Sequence, residues 1–346
     1  MRPARRIFKS DCLGWARREK GRVDPMKPSA EAAYENLDRL SCLELQGAAL
    51  PHGVKTGLYE AAREAEGRPL TLAAAELLDR PPAHIGIVTG AAVPDHMPAG
   101  ENDGPLGSVV LARALAAMGH RVSFYTDPPA APPIEALAAR CGLDAPTVHL
   151  GLHDVAQQEA IAAALDVGVA VERHGGNAHG NLYGVTGTPR HPFRANVDRL
   201  FRAMTEAGKP TLGVGDGGNE IGFGRIYDTL CARMPEFNLK EKTGCGGGIF
   251  TVMPADVLVV GTSSNIGCYG VVAALALRRG EPGLCHTLEE ERAIVAHGVE
   301  LGLTDGGSGT VIAVVDGVPV EDNAAVVHLM RAVVRRALAQ PGDRGF

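Results

Sequence analysis

The stretch Thr211–Gly224, T-L-G-V-G-D-G-G-N-E-I-G-F-G, sets Asp216, Asn219 and Glu220 among six glycines, directly after a short apolar run. Glycine lets a ligand approach the main chain and permits backbone angles that other residues avoid. Three further polar, glycine-rich stretches follow apolar runs. One carries Asp95, Glu101, Asn102 and Asp103; another is E-R-H-G-G-N-A-H-G-N-L-Y-G from Glu172; the third is G-T-S-S-N-I-G, Gly261–Gly267. Carboxylates beside glycines can reach a common pocket, where like charges raise one pKa and furnish an acid–base pair. Glu220, Glu172, Asp216 and Asp103 are therefore the candidate catalytic groups. They are also oxygen donors of the kind Mg²⁺ or Ca²⁺ takes. Asp103, Asp216 and Glu220 would be the ligands, but their spacing fits no calibrated metal motif, so the cation stays open.

Plainer readings compete for the other motifs. Gly213-x-Gly215-x-x-Gly218 matches a dinucleotide fingerprint by count, but an Asp occupies the loop and no good helix former follows at once. No organic cofactor is expected. Ser263, Ser264 and Asn265 can receive an anion at a helix start, or the serines can simply cap that helix. His174 and His179 are loop histidines open to ligand or proton-carrier roles, and His149-x-x-x-His153 is chance spacing. Lysines such as Lys209, Lys240 and Lys242 lack the context a Schiff base needs.

These loops have to be placed by regular elements. Residues 28–80 read as helices (Ser29–Gln46, Gly57–Glu66, Thr71–Leu78), an N-terminal helical extension stopped by Pro81-Pro82. From His84 strands and helices alternate: strands at His84–Thr89, Arg121–Thr126, Thr147–Leu150, Val167–Glu172, Thr211–Val214, Val257–Val260 and Val311–Val315. Helices at Leu106–Met118, Ile134–Cys141, Val155–Leu165, Phe193–Glu206, Ile266–Leu277, Leu288–Leu301 and Asn323–Leu338 separate them. The pattern predicts an α/β fold with a mostly parallel, Rossmann-like sheet and helices on both faces, in residues 81–346. Ligands then bind beyond the carboxyl ends of the strands, where the four polar loops fall.

Of 346 residues, 45% are apolar and 21% charged, ordinary for a globular chain. Aromatics are only 4% and the net charge is -6, which argues against a nucleic-acid partner. The start is locally basic, with Arg2, Arg5, Arg6, Lys9, Arg17, Arg18, Lys20 and Arg22 read as a solvated arm. No run is long enough to cross a membrane, and residues 1–24 lack the apolar core of a secretory signal. Seven scattered cysteines with no C-x-x-C suit free thiols in a cytoplasmic protein. The expected partner is a small amino-acid substrate; a homo-oligomer stays open.

With the loops in hand, a resemblance becomes specific. Thr89-Gly90 and Glu101–Gly107, E-N-D-G-P-L-G, resemble the E-T-D-G-P-P-G signature of the D-glutamate cyclase family. Val214–Gly224 is similar to its V-G-D-G-G-N-E-[LI]-G-M-G signature. Glu172-Arg173 with Gly180–Tyr183, Ser264-Asn265, and the late G-x-S-G at Gly306–Gly309 also line up. The likeness covers about residues 80–340. Asn102 stands in place of the usual Thr, Leu106 of the second Pro and Phe223 of the Met. The resemblance implies a hydro-lyase that cyclises D-glutamate to 5-oxo-D-proline with loss of water. It implies acid–base work for Glu220 and Glu172, with Asp216 and Asp103 orienting the amine or a cation. Arg173 and the Ser263–Asn265 helix start would hold the α-carboxylate, and Asn181, Asn219 and Tyr183 would supply polar contacts. The N–H groups of the glycine loop, at Gly217 and Gly218, would stabilise the oxyanion. Two rivals stand beside this: a Mg²⁺-assisted lyase, hydrolase or cyclase on another small acid, and a non-catalytic sensor of an acidic metabolite.

Overall fold

The computed structural model describes residues 30–45 and 51–339. The basic arm, the Ser29 cap and the expected helix end near Gln46 lie outside the described residues. Three helices come first: α1 (Ala30–Ser41), α2 (Val54–Glu66) and α3 (Leu70–Leu78). The alternating part runs β1 (His84–Val88), α4 (Pro105–Ala117), β2 (Arg121–Thr126), α5 (Ala131–Arg140), β3 (Thr147–His149), α6 (Val155–Ala164), β4 (Val167–Val171), α7 (Asp198–Glu206) and β5 (Thr211–Gly215). Two short helices, α8 (Tyr227–Arg233) and α9 (Pro235–Asn238), precede β6 (Val257–Val260), α10 (Ser264–Arg279) and α11 (Leu288–Glu300). A small hairpin, β7 (Val314–Val315) and β8 (Val318–Pro319), leads into α12 (Val320–Leu338).

Strands β1 to β6 form one parallel sheet in the order β3-β2-β1-β4-β5-β6. Strands β4, β5 and β6 are buried along their whole length, as near-continuous Val, Gly and Leu runs require of a sheet covered on both faces. Adjacent residues look opposite ways: Ile87 joins the core shared with α4 and α10, whereas Val88 joins the core under α6 and α7. The strand order reverses between β1 and β4, the crevice where such sheets receive ligands. The loops carrying Asp103 and Glu172 leave the sheet from those two strands.

Helix α10 is the axis of one layer, buried from Ser264 to Leu277 and packed against α4, α3, α12 and α1. Its contact with α4 is close because Gly107 leaves room: a Cβ there would lie 2.6 Å from the Asn265 main chain. Helices α2 and α3 share this core through Leu58, Ala61, Leu70, Ala74 and Leu78. The helical N-terminal part is thus packed into the α/β body rather than laid on it.

Two expected elements differ, and two short helices are not among those expected. Val311–Val315 is not a strand of the sheet: only Val314 and Val315 are extended, in the β7–β8 hairpin, and Val311 is 46% exposed. An Asp-Gly pair, Asp316-Gly317, turns that hairpin with both residues at positive φ (51° and 81°), the turn such a dipeptide favours. Helix α7 starts at Asp198 rather than near Phe193, because Arg194 and Ala195 turn inward to bond elsewhere. The glycine loop runs on into α8 and α9, which apolar periodicity does not mark.

Candidate active site

Backbone pairing sews two of the polar loops together. Gly175 N–H donates to Asn219 O at 3.0 Å, Ile221 N–H to Arg173 O at 2.8 Å, and Glu172 N–H to Val214 O at 3.1 Å. Glu172 and Glu220 are thereby set at the ends of β4 and β5. Glu172 itself has φ +50°, a conformation non-glycine residues adopt at a cost, and one concentrated at functional sites. In the glycine loop Gly218 is needed as glycine, at φ +90°.

Asp103 fixes the third and fourth loops to each other. Its carboxylate accepts the N–H of Ser264 and of Asn265, both at 2.8 Å, at the N-terminus of α10. Asn265 reciprocates, its Oδ1 accepting from Gly104 N–H (2.9 Å) and Gly107 N–H (2.6 Å). Ser264 Oγ donates to Glu172 Oε2 at 2.6 Å. One oxygen each of Asp103, Glu172 and Asp216 then lies within 4.8 Å of the others. Opposed oxygens on a single Mg²⁺ or Ca²⁺ stand about 4 to 5 Å apart, so the spacing is one at which the three could hold an ion. This oxygen set shares Asp103 and Asp216 with the expected Asp103, Asp216 and Glu220 and has Glu172 as its third member.

Glu220 has a different task. Its carboxylate accepts the N–H groups of Gly217 (3.0 Å) and Gly218 (2.9 Å), three and two residues back. The amides expected to receive an oxyanion are therefore occupied by the loop's own glutamate. Asp103 takes the α10 amides in the same way, so the Ser263–Asn265 start is not open to a substrate carboxylate. Ser263 caps that helix, accepting from Ile266 N–H at 3.3 Å.

Arg173 departs furthest from its expected role. It is fully buried, donates to both oxygens of Asp127 (2.6 and 3.2 Å) and to Ala195 O (2.6 Å), and so is turned away from the acidic cluster. Tyr183 is buried, with its hydroxyl on Thr243 Oγ1 (2.5 Å) and Cys245 Sγ (3.3 Å). Asn219 holds the Tyr183 carbonyl through Nδ2 (2.6 Å), and its Oδ1 is buried without a partner among the described residues. Asn181 takes part through its main chain, paired with Asn177. Asn102 ties its loop to the hairpin by donating to Val314 O at 2.6 Å, while Leu106 and Phe223 are core. His179 is exposed.

Three residues of the site, Lys55, Asp316 and Glu101, stand outside the expected set. Lys55, on α2, is 1% exposed and forms a buried ion pair with Asp216 and a longer one with Asp316, at 3.8 Å. Asp316 rides on the hairpin turn, which Asp305 steadies by accepting Gly317 N–H at 2.9 Å. The first two have a sequence signal. Lys55 shares the apolar stripe of α2 with Leu58 and Ala62, where a solvated lysine has no place, and Asp316-Gly317 between valines is a hairpin turn. Glu101 completes the group, packed so closely on Gly306 that a Cβ there would strike its carboxylate.

Six carboxyls (Glu101, Asp103, Glu172, Asp216, Glu220, Asp316) thus form one interacting group among the described residues, with the Lys55 ammonium paired to Asp216 and Asp316. Burial, reinforced by Asp216, pushes Asp103 up to about 7 and Glu220 up to about 8. Burial and then Asp103 raise Glu101 to about 8. Burial raises Glu172 well above the usual carboxylate range, with Glu220 and Asp216 adding to it, and Asp316 likewise with Asp216. Burial works against the Lys55 charge, but Asp216 and then Asp316 outweigh it and raise its pKa. A hollow of about 360 Å³ beside α6 and α7 shares none of these residues and has Asp198 as its one carboxyl.

The family model described as D-glutamate cyclase-like, C-terminal, matches residues 53–331, and the chain belongs to that family. The match begins before α2 and so takes in Lys55, ahead of the boundary near residue 80 that the motifs draw. A curated relative, the human mitochondrial D-glutamate cyclase, is 29% identical over 196 residues. That is 52% of this chain and 30% of the relative, so the chain spans less than a third of that protein. Among solved structures, a single-residue variant of actinorhodin polyketide ketoreductase with NADPH is similar at 17% identity, covering 75% of this chain and 91% of that one. Its TM-score of 0.26 is too low to bear on function. Family membership supports a cyclase or lyase. No helix among the described residues is long and apolar enough to cross a membrane.

Proposed function

We propose that the chain cyclises D-glutamate to 5-oxo-D-proline with loss of water. What carries this reading is the meeting of Asp103, Glu172 and Asp216 at one point, in a chain of the D-glutamate cyclase-like family. The reaction forms a bond from the amine nitrogen to the side-chain carboxyl carbon and breaks one C–O bond. Two protons leave nitrogen and depart with the carboxyl oxygen as water. The substrate ammonium meets acceptor oxygens in the acidic cluster, where Asp103, raised to about 7, is partly ionised near neutrality. Glu220, fixed by Gly217 and Gly218 and raised to about 8, takes an ammonium proton, since a base works best when its pKa lies near the working pH. Glu172, raised well above the usual range and held by Ser264, keeps a proton near neutrality and gives it to the departing oxygen. Holding the folded substrate supplies the proximity that favours a five-membered ring.

Asp103, Glu172 and Asp216 are also the residues that would hold a Mg²⁺ or Ca²⁺ ion. When bound, such an ion would polarise the substrate carboxyl and keep Glu172 ionised, so the proton-donor role given to Glu172 belongs to the cation-free site. The experiment is an NMR screen of D- and L-glutamate and other small amino acids with the full chain, with and without EDTA. Conversion of D-glutamate to the lactam is expected. Thermal stabilisation by D-glutamate without turnover would instead favour a sensor, and turnover of a different acid only would replace the substrate.

A further inference from the structure

Among the described residues Arg194 is a buried guanidinium with no ion pair. It is 1% exposed, and its Nη1 meets the Nδ1 of His174 at 2.5 Å. Burial and then Arg194 itself hold His174 well below its usual pKa, so the ring is neutral and accepts this hydrogen bond. Nε and Nη2 of Arg194 have no partner among the described residues. These two nitrogens form one edge of the guanidinium plane, the fork that matches both oxygens of a carboxylate. Arg190 lies near enough for its charge to act on Arg194, and no ion pair within 4.0 Å joins either arginine to an acid among the described residues.

Their place is at the rim of the acidic cluster. The His174 main chain bridges to that of Glu220, and Glu101 feels both Asp103 on one side and Arg194 and Arg190 on the other. An uncompensated buried charge is expensive, and the chain shows at Arg173 and Asp127 that it can pair a buried arginine with an acid of its own. We propose that Arg194, with Arg190 beside it, forms the subsite for a substrate carboxylate, while the acidic cluster takes the ammonium. The site is then two-poled and selects a dicarboxylic amino acid. This rests on the reading that the site takes an acidic amino acid, and it moves to Arg194 the role the motifs gave to Arg173.

The test compares the full chain with Arg194→Gln and Arg190→Gln. Calorimetric titration uses D-glutamate and glutarate, which keeps both carboxylates and lacks the amine, and NMR follows lactam formation. Both ligands are expected to bind the unmodified chain, with Kd weakened at least tenfold in Arg194→Gln and less in Arg190→Gln. The ligand-free Tm of Arg194→Gln should equal or exceed that of the parent, because an unpaired charge has been removed. Should that variant not fold, Arg194→Lys, which keeps the charge and loses the fork, reports the same loss of binding. Arg194-dependent binding without lactam formation would keep the subsite and remove the cyclase. Lactam formation with an unchanged KM in Arg194→Gln would keep the cyclase and overturn the subsite, as would failure of either ligand to bind the unmodified chain.

Discussion

Glu172 and Arg173 are neighbours in sequence and belong to opposite electrostatic designs. On one side Arg173 and Asp127 form a closed pair: both are buried, the guanidinium uses both carboxylate oxygens, and Asp127 also accepts Ala195 N–H at 2.8 Å. On the other side Glu172 enters a basin of six carboxyls that includes the Lys55 ammonium, and the fork of Arg194 at its rim meets no acid among the described residues. Charges that serve the fold are matched within the chain. Charges left unmatched after burial are costly unless something else supplies the partner, which is what a binding site for a zwitterion or a cation does.

The contrast can be broken in four places. Glu220→Gln removes the proton acceptor from the basin, and lactam formation should fall by about 10²- to 10⁴-fold in kcat while far-UV circular dichroism is unchanged. Full activity would remove Glu220 from the acid–base role. Arg173→Gln breaks the matched pair and leaves Asp127 buried and charged, so denaturant unfolding should show a loss of about 3–5 kcal/mol. A loss below about 1 kcal/mol would mean that this pair does not hold the fold together. Lys55→Met withdraws the ammonium from the basin; kcat should fall, and added Mg²⁺ should raise the variant's Tm by more than the parent's. Equal responses in the two proteins would separate Lys55 from the cluster.

The smallest effect is a slope. Glu101 and Glu220 near 8 and Asp103 near 7 all lie above their unfolded values, so the folded chain binds more protons than the unfolded one until pH passes about 8. Stability from these groups is present at low pH and is lost as pH rises through their folded pKa values. The histidines shifted downward, His84, His120 and His174, act in the opposite sense but only below their ordinary value near 6.5. Between about pH 6.5 and 8.5 the Tm of the cation-free chain should therefore fall. A rising Tm across that window would contradict the charge state assigned to the basin.

The sequence exposes much of this and hides the rest for identifiable reasons. The strand runs and the glycine-spaced acids are legible because both are local patterns: V-G-V-A-V before Glu172 and T-L-G-V before Asp216 mark strand ends directly. The convergence of Asp103, Glu172 and Asp216 follows from the parallel topology, since successive strands deliver their loops to one edge. The loop amides read as free because Glu220 bonds back to Gly217 and Gly218, a closure over three residues that composition does not reveal. Arg173 reads as a substrate ligand because its true partner lies 46 residues away, and Lys55 escapes notice because Asp216 lies 161 residues away. Arg194 sits in T-P-R-H-P-F-R with no pattern to mark it as buried.

The most direct test of the account is Glu172→Gln, measured near neutral pH for both 5-oxo-D-proline formation and Tm. Glu172 stands in a strained backbone position, among like charges, with its carboxyl neutral by burial; a neutral amide should be tolerated there. The account predicts loss of lactam formation with a Tm equal to or above that of the parent. Full turnover in Glu172→Gln, or a collapse of Tm as large as that expected for Arg173→Gln, would contradict it.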